Sequence, residues 1–351
     1  MALQWCDDFT SYGSTPAYMA NGLYASIGGA ALSNDPDTNA PVQKVLYLNN
    51  LFDDVRKVLS AAQTTVGMAS RIWPSALPGS STLPNFFRFN DSNNVTNVSI
   101  AVTSTGAITA WRGNSNSGTL LGTSAPAMVS NAWQHVEAKV FTNGATGTVE
   151  VRVNGVTVLN LTGQNTVSAG IASVSQVVLS NNNNFTGTPQ IPLHFKDFVT
   201  WDGTGAVNNN FFGSCTVSAM SPDGDDTNTW ARSSGSVSNT LINESDPVDT
   251  SYIGDAFPAA AKQVNTLSNL PSNVTAVKAL MPLTRAANSD GGTGNMKTGL
   301  VSGATSGLGA DKPLTSAYSY YFDIFELDPN TAAAWTVANA NAAKISFTRT
   351  A

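Results

Sequence analysis

The sequence predicts an all-β chain: a sandwich followed by a smaller β-rich domain with one or two short helices. Three observations carry this. Helix signals are scarce, and short β-type runs alternate with clusters of Gly, Asn, Ser and Pro. Charged residues make up only 11% of the chain against 42% hydrophobic, so neutral polar residues cover the surface, as suits a loop-rich β protein. The stretch HVEAKVFTNGATGTVEVRVNGVTVLNLTG, residues 135–163, alternates with a period of two across three runs.

That stretch defines its own ladder. Val136, Ala138 and Val140 share one face, with His135, Glu137, Lys139 and Phe141 on the other. Val149, Val151 and Val153 repeat the pattern, with Glu150 and Arg152 opposite. Asn154-Gly155 separates two runs, and both residue types tolerate positive φ, so a type I′ hairpin follows. Glu137, Lys139, Glu150 and Arg152 are then expected to form cross-strand pairs on an exposed face, each contributing roughly 0.2–1 kcal/mol.

Further strands are expected over 55–62, 64–73, 85–90, 98–102 and 108–112, then at SQVVLS and LHFKDFVTW. Four consecutive asparagines, Asn181 to Asn184, read as a loop. With 351 residues, two domains are the prior. The boundary is placed at 212, where the aromatic-rich FKDFVTWDGTG gives way to the loop-rich SPDGDDTNTW. Domains of 1–212 and 213–351 result. The second is expected to hold extended runs at 273–283 and 317–327, the latter covered on both sides. Asp328 as N-cap and Pro329 at the first helical position predict a short helix in DPNTAAAWTVANANA. FPAAAKQVNTL predicts another helical turn or two, and KISFTRT a last strand.

The totals exclude several classes. The net charge is −6 and there is no Lys/Arg run, so a nucleic-acid partner lacks its electrostatic footprint. No apolar run approaches the roughly 18 residues of a membrane span. MALQWCDDF carries no basic start or long apolar segment, so no secretory signal is expected and the chain is expected to fold where it is made. Cys6 and Cys215 then read as reduced, buried thiols, with a disulfide or a reactive thiol as the alternative, and sequons such as Asn94-Val95-Thr96 and Asn273-Val274-Thr275 carry little weight.

The segment NAWQHVEAKVFTNGATGTVEVRVNGVTVLNLTG resembles the concanavalin A-like and laminin-G-like jelly rolls. The resemblance rests on Trp133, His135-Val136 and a hairpin closing in Val151 to Val158. An opening DDF (Asp7, Asp8, Phe9) and a closing FKDFVTWDG fit the same pattern, which implies that the first and last strands meet. The likeness covers residues 1–212. The tail YYFDIFELDPNTAAAWTVANANAAKISF is similar to segments of bacteriophage structural proteins, through Asp328, Pro329, Thr331, Trp335 and Thr336. That resemblance implies a virion component: a capsid decoration, collar or tail-surface protein, packed against other virion proteins and copies of itself, its C-terminal part serving attachment or oligomerisation.

Catalytic constellations are not evident. His135 and His194 are the two histidines, and each falls in a predicted strand. No G-x-S-x-G elbow is present, and no Cys/His cluster has zinc spacing. The paired-acid pattern of jelly-roll glycan hydrolases, E-x-D-x-x-E, is approached by Glu326 and Asp328, where Thr331 replaces the second acid. A non-enzymatic protein is therefore expected. Calcium is the one plausible ion, through Asp223, Asp225 and Asp226, or Asp35 and Asp37, although these acids equally suit solvated turns. For glycan binding, Trp73, Trp111, Trp201 and Trp230 are candidate stacking platforms. Trp111 with Arg112 and Asn114 is singled out as a projecting loop, against the alternative of core packing. Loops 111–118 and 180–188 would hold any specificity. The leading expectation is a structural virion protein; the alternative is a carbohydrate-binding adhesin recognising host-surface glycans.

Overall fold

Alternating Val/Ala and polar residues leave each strand one apolar face, and two such faces closed on each other make the core of the first half. The computed structural model describes residues 2–39, 43–50, 52–79, 83–115, 117–182, 191–254, 262–289 and 294–350. The chain divides into two units, one of residues 1–10, 14–20 and 24–217, the other of 11–13, 21–23 and 218–351.

Among its described residues the first unit contains fourteen strands: β1 (Leu3–Asp7), β2 (Ala31–Asn34), β3 (Lys44–Leu48), β4 (Asp54–Gln63), β5 (Thr65–Pro74), β6 (Asn85–Asn90), β7 (Thr96–Val102), β8 (Ala107–Arg112), β9 (Thr119–Pro126), β10 (Gln134–Phe141), β11 (Gly147–Val153), β12 (Val156–Gln164), β13 (Val174–Asn182) and β14 (Leu193–Asp202). They form a β-sandwich. One sheet runs β12-β11-β10-β5-β14-β3-β2, with β1 also paired to β14; the other runs β4-β13-β6-β7-β8-β9. The first and last strands meet as the resemblance implies, Cys6 opposite Val199. Val136, Ala138, Val140, Val149 and Val151 face inward, fully buried, with Phe87, Phe89, Phe195 and Phe198 in the same core.

Two backbone features shape the larger sheet. Asn154 (φ 51°) and Gly155 (φ 81°) turn the β11–β12 hairpin as expected. In β14 a bulge falls between Lys196 and Val199, where Asp197 sits at φ 55°. The extra residue breaks the strict alternation, so consecutive Lys196 and Asp197 both serve the outer face while Phe195 and Phe198 stay in the core. Ser70 Oγ donates to the Lys196 carbonyl at 2.8 Å and fixes the bulge against β5.

The second unit is smaller and less regular. Among its described residues the strands are β15 (Pro222–Thr227), β16 (Ala231–Arg232), β17 (Ile253–Gly254), β18 (Lys262–Leu267), β19 (Leu283–Ala286), β20 (Asn295–Ser302), β21 (Thr305–Leu308), β22 (Lys312–Pro313), β23 (Ser319–Phe322) and β24 (Lys344–Arg349), with one α-helix, α1 (Val337–Ala342). The main sheet runs β15-β18-β24-β20-β21, with β22 on β20; β16-β17 and β19-β23 are separate pairs. Leu300, Trp335, Ala340 and Ala343 form one apolar cluster, and Met296, Ile345 and Phe347 another. Trp335 donates its indole N–H to the Phe325 carbonyl at 2.8 Å.

Several expectations are corrected here. The division falls after Val217 rather than at 212, because residues 212–217 are hydrogen-bonded onto the first unit's sheet. Of the run 273–283, only Leu280 makes a ladder contact before β19 begins at Leu283. The run 317–327 is broken into the four residues of β23 and single bridges at Phe325 and Leu327, since its partner β19 is equally short. The helix starts at Thr336, whose Oγ1 accepts from Asn339 N at 3.0 Å. Asp328 instead makes a local turn to Asn330 N, and Ala332 at φ 54° interrupts the helical path. Asn181 and Asn182 belong to β13 rather than a loop; Asn183 and Asn184 lie outside the described residues, as do all of residues 183–190. In FPAAAKQVNTL, residues 257–261 lie outside them too, and KQVNTL is strand β18.

Candidate functional site

The outer face of the larger sheet is where the structure gathers chemistry. The inward valines commit the alternate residues of β10, β5, β14 and β3 to the opposite side: Glu137 and His135, Arg71 and Trp73, Lys196 and His194, and Tyr47. Two regions of this face behave differently.

Over β10, β11 and the β1 end of β14, the face is covered by the chain that follows β14. Phe211 and Phe212 stack edge-on to Trp201 at 6.1 and 5.1 Å, and the Arg152 guanidinium lies 3.8 Å from the Phe211 ring centre. Glu137 Oε1 accepts from the backbone N–H groups of Phe212 (2.8 Å) and Gly213 (3.1 Å). Asp197 Oδ1 accepts from Val217 N at 2.8 Å, and its other oxygen is 3.3 Å from Arg71 Nε. Cys215 Sγ lies 3.6 Å from His135 Nε2. The expected exposed charge ladder is thus corrected. The register does set Glu137 opposite Arg152 and Lys139 opposite Glu150. Yet Glu137 is 0% exposed, Lys139 bonds Asn210, and Arg152 pairs with Glu150 of its own strand at 2.8 Å.

Burial sets the electrostatics under this cover. It raises the pKa of Asp197 to about 6 against the opposing pull of the Val217 N–H and Arg71, and lowers that of His135 to about 4, helped by Arg71. Burial also pushes Glu137 above the ordinary carboxylate range. The Cys215 thiol is pushed up to about 12 by burial and then by Asp197 and Glu137, and Cys6 is raised likewise, so both thiols stay protonated.

Beyond the covered part, at β3, β14 and β5, the face is open and aromatic. Tyr47 and His194 stack at 4.7 Å with 35° between planes. Trp73 and Trp133 meet edge-on at 5.8 Å. Trp73, Trp133 and Tyr47 are half-buried. Asp35, in the loop after β2, joins them: its Oδ1 accepts from Trp133 Nε1 at 2.9 Å and its Oδ2 from Lys196 Nζ at 2.7 Å. Lys196 Nζ also lies 4.2 Å from the Trp133 ring centre. Burial works against the Asp35 charge, but hydrogen bonds from Lys196, the Asp37 N–H and Trp133 outweigh it and hold the carboxyl below its ordinary range. Burial lowers the pKa of His194, only partly opposed by a hydrogen bond to the Trp73 backbone. The arrangement is a rigid platform of ring faces around a fixed ion pair.

The residues singled out from sequence fall elsewhere. Trp111 and Arg112 end strand β8 on the other sheet rather than projecting from a loop, because pairing with β7 and β9 continues through them. The Trp111 indole N–H and Asn114 Oδ1 are buried without a hydrogen-bond partner among the described residues, and Arg112 donates to Thr119 Oγ1. Asp223, Asp225 and Asp226 lie in β15, each with its own partners. Asp223 accepts from Thr266, Asp225 from Ser238 N, Asn239 N and Asn265, and Asp226 pairs with Lys344 at 2.6 Å. Asp37 caps the Asn39 N–H. Among the described residues no three His, Cys, Asp or Glu converge as a metal site. Of the other candidate tryptophans, Trp201 is fully buried and Trp230 packs on Phe347, which leaves Trp73 on the open face. Tyr47, Lys196 and Arg71 carry no local signal in the sequence, and Trp133 marks only the fold there.

No family model and no curated protein matches the chain. Among solved structures it is similar to a cellulose-induced protein, Cip1, at 15% identity and TM-score 0.44, covering 60% of this chain and 100% of that one. It is similar to the alginate lyase Aly36B at 12% and 0.36, covering 57% and 95%. It is also similar to the carbohydrate binding module CBM66 from Bacillus subtilis at 10% and 0.32, covering 50% and 98%.

Proposed function

We propose that the first unit is a non-catalytic carbohydrate-binding module whose Tyr47–Trp73–Trp133 corner stacks on sugar rings. The observation that carries this reading is the combination of half-exposed aromatic rings and a buried, fixed ion pair on one rigid sheet face. Ring faces of this kind pack against the C–H faces of pyranoses, while fixed polar groups orient the hydroxyls. The non-catalytic part is supported by the commitment of the carboxylates on this face. Asp35 holds Lys196, Asp197 holds Arg71, Glu137 holds two backbone N–H groups and Glu150 holds Arg152. Cleavage by paired carboxyls instead needs two of them free to flank one bond.

A broad glycan array, with hits titrated against the wild type and Trp73→Ala, tests the binding. Saturable binding that the substitution abolishes is expected, and an array without hits overturns the reading. Mass spectrometry of hit glycans after incubation tests the non-catalytic part, which shortened or unsaturated products would overturn.

A second reading is compatible with the first. The resemblance of the tail supports a virion component that meets other virion proteins and copies of itself and carries this face toward host-surface glycans. The charged fraction of 11% favours it, since few charges need desolvating when such surfaces pack. Peptide mapping of purified particles is the test: presence in stoichiometric amounts is expected, and absence contradicts it.

A further inference from the structure

The open corner holds its cations before any ligand arrives. Lys196 is tied to Asp35 at 2.7 Å, and their side chains are only 10% and 2% exposed. Arg71 faces Asp197 at 3.3 Å, where Asp197 is already fixed by the Val217 N–H. His194 is stacked on Tyr47, 8% exposed, and burial keeps its imidazole neutral at pH 7. Two cations thus face two anions, and the whole chain carries −6. A polyanion approaching Lys196 and Arg71 meets cations that are already matched, against a repulsive background. What the corner offers a ligand is the exposed part of Trp73, Trp133 and Tyr47 together with the dipoles of satisfied polar groups.

We infer that this face takes a neutral glycan, and that Asp35 sets the choice by neutralising Lys196; the inference rests on the carbohydrate-binding reading above. Asp35 is the selective element rather than Asp197 because of where each sits. Asp197 lies against the covering segment through Val217, whereas Asp35 touches Trp133, a wall of the open corner. Lys196 Nζ lies at the same wall, 4.2 Å from the Trp133 ring centre. With the Asp35 charge removed, Lys196 becomes a free cation beside the stacking rings, which is what a uronic acid carboxylate needs. Asp35→Asn retains an amide oxygen able to accept from the Trp133 indole, so the substitution changes charge more than shape.

The test is calorimetric titration of wild type and Asp35→Asn with neutral gluco-, manno- and xylo-oligosaccharides and with oligogalacturonates, at low and high salt. Wild type is expected to bind a neutral class, with affinity altered less than about twofold by salt, and to ignore the uronates. Asp35→Asn is expected to keep neutral binding and to gain uronate binding that high salt weakens about tenfold. The double variant Asp35→Asn/Lys196→Met, which removes both charges, is expected to bind neutral sugar alone. Wild type that prefers uronates, with affinity falling as salt rises, overturns the neutral assignment while leaving carbohydrate binding intact. Uronate binding gained equally by the double variant, or not gained by a folded Asp35→Asn, overturns the role of Asp35. If no oligosaccharide of either class binds, the inference and the reading beneath it both fail. The wild-type comparison across classes and salt decides the glycan class whether or not the variants fold.

Discussion

Lys196 Nζ lies 2.7 Å from Asp35 Oδ2 and 4.2 Å from the centre of the Trp133 ring, so one amine ties a loop carboxylate to an aromatic wall. Asp35 and Lys196 are 161 residues apart, and their pairing closes one corner of the sheet face. Removing one partner of a buried pair leaves an uncompensated charge, at about 3–5 kcal/mol, whereas replacing both costs much less. Asp35→Ala is therefore expected to lose several kcal/mol in denaturant unfolding of the first unit. Asp35→Asn/Lys196→Met should lose markedly less. Equal losses would show that packing, not charge pairing, holds the corner.

Gly67 lets Trp201 lie against β5. A Cβ on Gly67 would fall 2.1 Å from the Trp201 ring, in a fully buried site. Gly67→Ala forces the indole or the strand to move, at about 1–3 kcal/mol or more. A lowered unfolding midpoint is expected, with partial recovery in Gly67→Ala/Trp201→Leu, where the smaller side chain leaves room. No recovery would place the strain in the β5 backbone.

Two buried groups on Arg71 give opposite pH dependence. The folded pKa of Asp197, about 6, is above its ordinary 3.8, so the native state binds more protons and this group's contribution is lost as pH rises through 4–6. The folded pKa of His135, about 4, is below its ordinary 6.5, so its contribution grows as pH rises over that window. Relative to wild type, Asp197→Asn should become more stable as pH rises from 4 to 6, and His135→Gln less stable, each by about 2–3 kcal/mol. Unfolding of the first unit across this window checks both signs, and pH-independent differences would contradict them.

Glu137 fixes the segment over the sheet by accepting two backbone N–H groups in a site closed to water. Glu137→Ala leaves the Phe212 and Gly213 N–H groups without this acceptor, at about 1–3 kcal/mol. Limited proteolysis should then cut residues 204–217 several-fold faster than in wild type, and unchanged cutting would show that Phe211 and Phe212 hold the segment unaided.

The sequence spoke clearly wherever structure is local. Asn154-Gly155 turns as expected, the valines of β10 and β11 face the core, and β1 meets β14 as the family likeness implies. It misled where a distant segment intervenes. Glu137 and Arg152 have the pattern of solvent-facing pairs, but residues 210–213, some 75 positions later, cover them. Trp111 precedes Arg-Gly-Asn and looks like a loop tip, yet ladder pairing with β9 carries the strand through it. Asp328-Pro329 has the chemistry of a helix start, but its carboxylate is spent on Asn330 and Asn339, and Thr336 caps instead. Trp73 was within reach by residue type. Its partners Tyr47, Trp133, Asp35 and Lys196 come from four separate strands and loops, and no spacing rule brings them together.

The central claim is tested most directly by titrating the array's strongest glycan hit into wild type and Trp73→Ala, with thermal unfolding run in parallel. The account predicts at least about a tenfold loss of affinity in Trp73→Ala, equivalent to roughly 1.4 kcal/mol, in a variant that the unfolding curve shows to be still folded at the titration temperature. Undiminished binding by a folded Trp73→Ala would contradict it and move the site away from this face.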